Sequence, residues 1–121
     1  MKKILYIEDE PEQIMVVQQR LEANGYEVIS APEGEEGCRK AHGEKPDLIL
    51  LDLFLPGVNG FDICKRLKND HATKDIPILM ITASGVEYIE DQVRNAGADG
   101  YIKKPYESET LVSKVDEFLK E

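Results

Sequence analysis

With 121 residues and a formal charge of −9, from 24 acids against 15 bases, the chain has the length of one domain and is poorly matched to a phosphate backbone or an anionic membrane, which argues against direct nucleic-acid or membrane binding. An apolar fraction of 41% with 32% charged residues suits a soluble globule, and no run of 18 apolar residues marks a membrane span. In the opening MKKILYIEDE, Glu8 arrives too early for a signal-peptide core, so the protein is expected in the cytoplasm.

Residues 4–7 are predicted as a first strand. Pro11, Ile14, Val16, Val17 and Leu21 then form a stripe at helical spacing, with Pro11 suited to a first turn and Asn24-Gly25 to a helix stop. Residues 26–30 read as the second strand and 32–42 as a short helix weakened by Gly34 and Gly37. Residues 47–52 form a third strand, apolar on both faces as a strand covered by helices on both sides should be. Phe61, Cys64 and Leu67 mark the next helix, and residues 76–82 the fourth strand. Val86, Ile89, Val93 and Ala96 mark a helix ended by Gly97, residues 100–104 a fifth strand, and Leu111, Val112, Val115 and Leu119 line the last helix. Five βα units in series, without linker or repeat, predict one α/β domain over residues 1–121 with a parallel sheet and helices on both faces.

Sheets of this kind bind ligands beyond the carboxyl ends of their strands. The first strand ends in Glu8-Asp9-Glu10, the third in Asp52, the fourth in Thr82 and the fifth in Lys103-Lys104. Asp52 is the hardest to dismiss, because LILLDLFLPG sets one carboxylate inside an aliphatic run where burying a charge demands a partner. Clustered carboxylates make an oxygen site for a hard cation such as Mg²⁺, and a hydroxyl and an ammonium suit a phosphoryl group. Two carboxylates about 5 Å apart repel by about 3 kcal/mol at an effective dielectric near 20, so a cation, a proton or a lysine must relieve them. The combination points to phosphoryl chemistry on a carboxylate nucleophile.

Taken singly, these residues have plainer readings. Glu8, Asp9 and Glu10 are common as solvated loop acids, Thr82 as a strand former, Tyr101 as a core aromatic, and Gly57, Gly60 and Gly97 as turn or helix-end residues. Cys38 and His42, four apart on a helix, with Cys64 and His71, are a conceivable zinc set, but free thiols and surface histidines are the better reading.

The conjunction resembles the receiver domain of two-component response regulators over essentially the whole chain. The matching pieces are IEDE (7–10), LLDLFLPGVNG (50–60), ITAS (81–84) and GADGYIKKPY (97–106). The resemblance implies a flavodoxin-like sheet of order 2-1-3-4-5 with five helices. It implies that Asp52 accepts a phosphoryl group from a sensor histidine kinase or histidine phosphotransfer protein, and that Mg²⁺ is held by Asp9, Glu8, Asp52 and the backbone carbonyl of Phe54. Thr82 and Lys104 match the residues that contact the phosphoryl group, and Tyr101 the aromatic switch that turns inward as Thr82 moves. The Lys104-Pro105 bond is expected to be cis. Output is expected by contact with a downstream protein through the surface of the fourth helix, fifth strand and fifth helix, as a monomer or a phosphorylation-dependent dimer. The chain would catalyse its own phosphorylation and slow dephosphorylation without being a turnover enzyme.

Glu8 stands where aspartate is also frequent, and Phe54 is bulkier and less polar than many occupants of its position. Phe54 and Ser84 are expected to govern how water reaches the acyl phosphate, with Phe54 slowing hydrolysis. Phosphatases that form an aspartyl-phosphate carry an acid two residues after the nucleophile, where this chain has Phe54. Flavodoxin-like cofactor binders need a Ser/Thr/Gly-rich loop after the first strand, where this chain has EDEPE.

Overall fold

The structure is a computed structural model that describes residues 1–83 and 85–120. In chain order its elements are β1 (Lys3–Ile7), α1 (Pro11–Ala23), β2 (Glu27–Ala31), α2 (Gly34–Glu44), β3 (Leu48–Asp52), β4 (Phe54–Leu55), β5 (Val58–Asn59), α3 (Gly60–Lys68), β6 (Ile78–Ala83), α4 (Ile89–Ala96), β7 (Gly100–Lys104) and α5 (Ser108–Leu119). Five strands form one sheet in the order β2-β1-β3-β6-β7, every neighbouring pair parallel. Here β6 and β7 are the fourth and fifth sheet strands of the sequence reading, so the order expected is the order found.

The differences have local causes. β4 and β5 form a two-stranded antiparallel hairpin that no periodicity announces, turned by Gly57 at φ +74°. β6 starts at Ile78 and not at 76, after Pro77, which has no N–H to give a ladder. α2 is displaced toward its carboxyl end because Glu33 is extended at φ −149° and serves as its N-cap. α4 excludes Val86: Gly85 and Tyr88 both have positive φ, so helical geometry cannot begin before Ile89.

Alternation along the strands divides the core into two walls. Leu5, Ile7, Ile49, Leu51, Ile78 and Met80 pack with α2, α3 and α4 through residues such as Ala41, Cys64 and Val93. Ile4, Tyr6, Leu48, Leu50, Leu79, Ile81 and Ile102 pack with α1 and α5 through Val17, Leu21, Leu111 and Val115. Because the strands are parallel, all five helices start at the sheet's carboxyl edge. Each has an acid in its first turn: Glu12, Glu35 and Glu36, Asp62, Glu90 and Asp91, and Glu109. Such placement favours each helix through its dipole. Arg20, His42, Arg66 and Arg94 lie in the last turns of the first four.

Candidate functional site

The period-2 alternation decides which groups meet. Glu8 continues the face of Ile4 and Tyr6, Asp52 that of Leu48 and Leu50, and Lys104 that of Ile102, all on the α1/α5 wall. Asp52 ends β3 and is only 5% exposed, while Glu8, one residue beyond β1, is 1% exposed. Lys104 ends β7, two strand spacings or about 10 Å from β3. Its arm crosses the end of β6, where its register partner is the small Ala83. The ammonium donates to Asp52 Oδ2 at 3.1 Å and lies 3.8 Å from Glu8 Oε1. The Phe54 N–H donates to Asp52 Oδ1 at 2.9 Å, and the Asp9 N–H to Glu8 Oε2 at 3.1 Å. Gly60 closes the loop after Asp52, its N–H donating to the Leu53 carbonyl at 2.9 Å. The Lys104-Pro105 bond is cis.

The charges are mutually dependent. Burial, then the nearness of Asp52, raise the Glu8 carboxyl to about 8, while Lys104 and the Asp9 N–H act against this. For Lys104, burial opposes its charge, but Asp52 and Glu8 outweigh it and move the ammonium upward. Tyr6, fully buried two residues before Glu8, is also raised by burial and by the Glu8 charge, and its hydroxyl has no hydrogen-bond partner among the described residues.

This coupling predicts a pH dependence of the metal-free protein. Glu8 binds its proton more tightly when folded than when unfolded, so its contribution to stability is complete below the unfolded value near 4.5 and is lost as pH rises through about 8. Thermal melts in a chelating buffer should therefore show a melting temperature that falls between pH 5 and 9 by several degrees more than in Glu8→Gln. Parallel profiles for the two proteins would exclude Glu8 as the cause.

The donor set fits a hard cation. Glu8 Oε1 is buried without a hydrogen-bond partner among the described residues, facing a second carboxylate and beside the half-buried Asp9. No group of three or more His, Cys, Asp or Glu side chains that could hold a metal occurs among the described residues. Mg²⁺ does not need one, since it commonly retains several waters and takes one or two carboxylates. The Cys38–His42–Cys64–His71 set does not assemble: Cys64 is buried with Sγ on the Ala96 carbonyl, and both histidines are exposed.

Thr82 and Tyr101 follow the other wall, with Met80. Thr82 is 1% exposed and its hydroxyl donates to the Ala83 carbonyl at 3.2 Å. The Tyr101 ring packs against the α2–α4 core while its hydroxyl donates to Glu90 Oε1 of α4 at 3.2 Å. Phe54 is 61% exposed beside a groove it shares with Val58, Val86 and Gln92. Ser84 lies outside the described residues. Two features escaped the sequence reading: the depth of Glu8, whose acidic neighbours suggested a solvated loop, and Tyr6, whose place two residues before Glu8 was the available signal.

Comparison with known proteins is consistent over the whole chain. Residues 4–116 match the family model of the response regulator receiver domain. The chain is 43% identical over 122 residues to the DNA-binding dual master transcriptional regulator RpaA of Synechocystis, covering 99% of this chain and 50% of that protein. It thus spans about half the length of that regulator and of other curated relatives. The chemotaxis response regulator CheY4 of Vibrio cholerae superposes with a TM-score of 0.91 at 31% identity, covering 98% of this chain and 99% of that one. The receiver domain of the sensor histidine kinase PA1611 of Pseudomonas aeruginosa superposes at 0.89 with 25% identity, covering 99% and 98%, and holds a magnesium ion in its active site cleft. No helix among the described residues is long and apolar enough to cross a membrane.

Proposed function

Since the chain belongs to the response regulator receiver domain family, the phosphorylation-dependent signalling modules of two-component systems, we propose that Asp52 is its phospho-acceptor. Members of this kind are signalling proteins and not turnover enzymes. The observation that carries the assignment is the contact of Lys104 with a nearly buried Asp52 beside Glu8. A lone carboxylate at a strand end has many explanations. One that shares a lysine with a second acid, at the carboxyl edge of a parallel sheet, is arranged for an incoming phosphoryl group.

In this reading an Asp52 oxygen attacks phosphorus in line as the phosphorus–nitrogen bond to the donor imidazole breaks. Lys104 already neutralises one Asp52 oxygen, and transfers its hydrogen bond to the phosphoryl group with little displacement. The Phe54 N–H holds the other oxygen and fixes the carboxylate plane. Thr82 supplies a hydroxyl to the phosphoryl oxygens. Asp9, Glu8, Asp52 and the Phe54 carbonyl would hold Mg²⁺, which supplies neutralisation of the equatorial oxygens when bound. Positioning and charge compensation are the main requirements of this transfer, and these side chains supply both.

The donor is a sensor histidine kinase or a histidine phosphotransfer protein, and the domain is residues 1–121. Output runs by protein contact through α4, β7 and α5, with or without dimerisation. The Tyr101–Glu90 bond ties β7 to α4 in this structure. As Thr82 is drawn to the phosphoryl group, Tyr101 releases Glu90 and turns inward, giving a two-state surface biased by one new charge. The test is intact-mass measurement after incubation with Mg²⁺ and acetyl phosphate. One added phosphoryl group supports the reading, and none, with no spectral response to beryllium fluoride, rejects it.

The exposed Phe54 ring governs the lifetime of that adduct. Phe54→Ala is expected to release phosphate about threefold faster than wild type, an effect of the order of one partly shielding side chain, about 0.7 kcal/mol. Equal decay rates by phosphate-release assay would remove Phe54 from the account.

A further inference from the structure

Strand alternation sends Tyr6 into the α1/α5 wall, where its neighbours Ile4, Leu48 and Leu50 are aliphatic and, like Tyr6 itself, fully buried. An aliphatic residue would fill that place, so the phenolic oxygen calls for a reason. Burying a hydroxyl without a partner is costly, and native interiors leave few such groups. Yet the Tyr6 hydroxyl has no hydrogen-bond partner among the described residues, and neither has Glu8 Oε1. Lys104 lies 3.8 Å from that oxygen, too far for a hydrogen bond, and donates to Asp52 Oδ2 at 3.1 Å. The other oxygen of Glu8 accepts from the Asp9 N–H.

After burial, the groups that raise the Tyr6 hydroxyl are Glu8, Tyr106, Asp52 and Glu10, all at the carboxyl edge of the sheet. The ring therefore leans along the strand toward the site. Tyr6 and Glu8 stand two apart on one face of an extended chain, with Cα atoms about 6.6 Å apart. They are not bonded to each other, and a single water bonded to both would span about 5.5 Å. On the reading of Glu8 as a ligand of the cation, we infer that Tyr6 is a positioning residue whose hydroxyl holds Glu8 Oε1 through one buried water.

The effect of such a bridge is geometric. The Asp9 N–H fixes one oxygen of Glu8 and the bridge fixes the other, so the carboxylate plane is set before a cation arrives. A hydroxyl both donates and accepts, so the bridge holds whether or not Glu8 carries a proton. Partners of this kind orient the ligands of a metal, and losing one commonly weakens binding by about tenfold to a hundredfold. A hydroxyl that truly lacked a partner would behave in the opposite way. Its removal would relieve desolvation, raise the melting temperature and leave cation binding untouched.

The experiment measures Mg²⁺ affinity by calorimetry and melting temperature in chelator, for the intact chain and for Tyr6→Phe, which keeps the ring. Tyr6→Phe should bind Mg²⁺ about tenfold more weakly and melt about 3 °C lower without metal. In a Glu8→Ala background the same change should no longer lower the melting temperature, because the bridge has lost its other end. Tyr26→Phe removes another tyrosyl hydroxyl of this wall, one bonded to Asp116, and should leave Mg²⁺ affinity unchanged. Uptake from acetyl phosphate by Tyr6→Phe should slow at limiting Mg²⁺ and recover to within about twofold at saturating Mg²⁺. Unchanged affinity, a higher melting temperature, or an equal fall in both backgrounds overturns the inference. If Glu8→Ala fails to fold, the affinities of Tyr6→Phe and Tyr26→Phe decide the matter. Wild-type binding that Tyr6→Phe leaves intact rejects the bridge alone, whereas a wild type that binds no Mg²⁺ rejects the ligand reading of Glu8 as well.

Discussion

Asp52→Asn is expected to abolish phosphoryl uptake while leaving a protein at least as stable as wild type when free of metal. The loss follows from chemistry: the amide is isosteric but offers no anionic oxygen to phosphorus. Its single carbonyl oxygen can accept from Phe54 N–H, keeping the loop geometry, while the amide NH2 replaces the oxygen that Lys104 used. The gain follows from charge. Glu8 and Asp52 are close enough to raise the Glu8 carboxyl, and removing one charge relieves that repulsion. Lys104 keeps Glu8 as a partner 3.8 Å away, so no cation is stranded. The paired result, no added mass with Mg²⁺ and acetyl phosphate but an equal or higher melting temperature in chelator, separates a functional acid from a structural one. A fall of several degrees would mean that Asp52 serves mainly to neutralise Lys104, and an adduct that persisted would place the acceptor elsewhere.

Gly60→Ala is expected to cost about 3 kcal/mol and to lower the melting temperature by about 10 °C. A β-carbon there would lie 2.7 Å from Leu53 Cα and its carbonyl oxygen and 2.8 Å from the Asp52 carbonyl oxygen. These are backbone atoms with no rotamer to give way, so the chain carrying Asp52 must move. A misplacement of about 1 Å can cost on the order of a hundredfold in a positioned reaction, so uptake should slow along with the loss of stability. Gly57→Ala is the control. Its φ is +74° but nothing among the described residues lies within 4 Å of the added β-carbon, so it should cost only about 1 kcal/mol of backbone strain and leave uptake unchanged. Identical behaviour of the two variants would show that the close approach at Gly60 is unimportant.

Gly60 also shows where the sequence ceases to be informative. Its identity suggests a turn, but the reason for it is a neighbour seven positions back, brought there by the β4–β5 hairpin. Two-residue strands are too short to show any period. Asp52 was legible because its apolar flanks make a charge anomalous, and Lys104 because strand alternation and parallel topology bring the strand ends to one edge. Glu8 was legible as a candidate but not as the more buried of the two acids, since three consecutive acids carry no signal of depth. At α4 the pattern of Val86 and Ile89 suited a helix, and only the positive φ at Gly85 and Tyr88 shows why Val86 is left out. Tyr6 satisfied the expected aliphatic pattern so well that its hydroxyl drew no notice.

The two-walled core has a consequence for communication. Asp52, Glu8 and Lys104 belong to the α1/α5 wall, whereas Met80, Thr82 and Tyr101 belong to the other. Between them the sheet acts as an insulator, since aliphatic side chains on opposite faces do not touch and their substitutions should be energetically independent. A charge arriving at Asp52 therefore has two crossings to the other wall among the described residues: through its neighbour Leu53, which packs in that wall and donates to the Ile81 carbonyl, and around the end of β6, where Thr82 and Ala83 lie in register with Lys103 and Lys104.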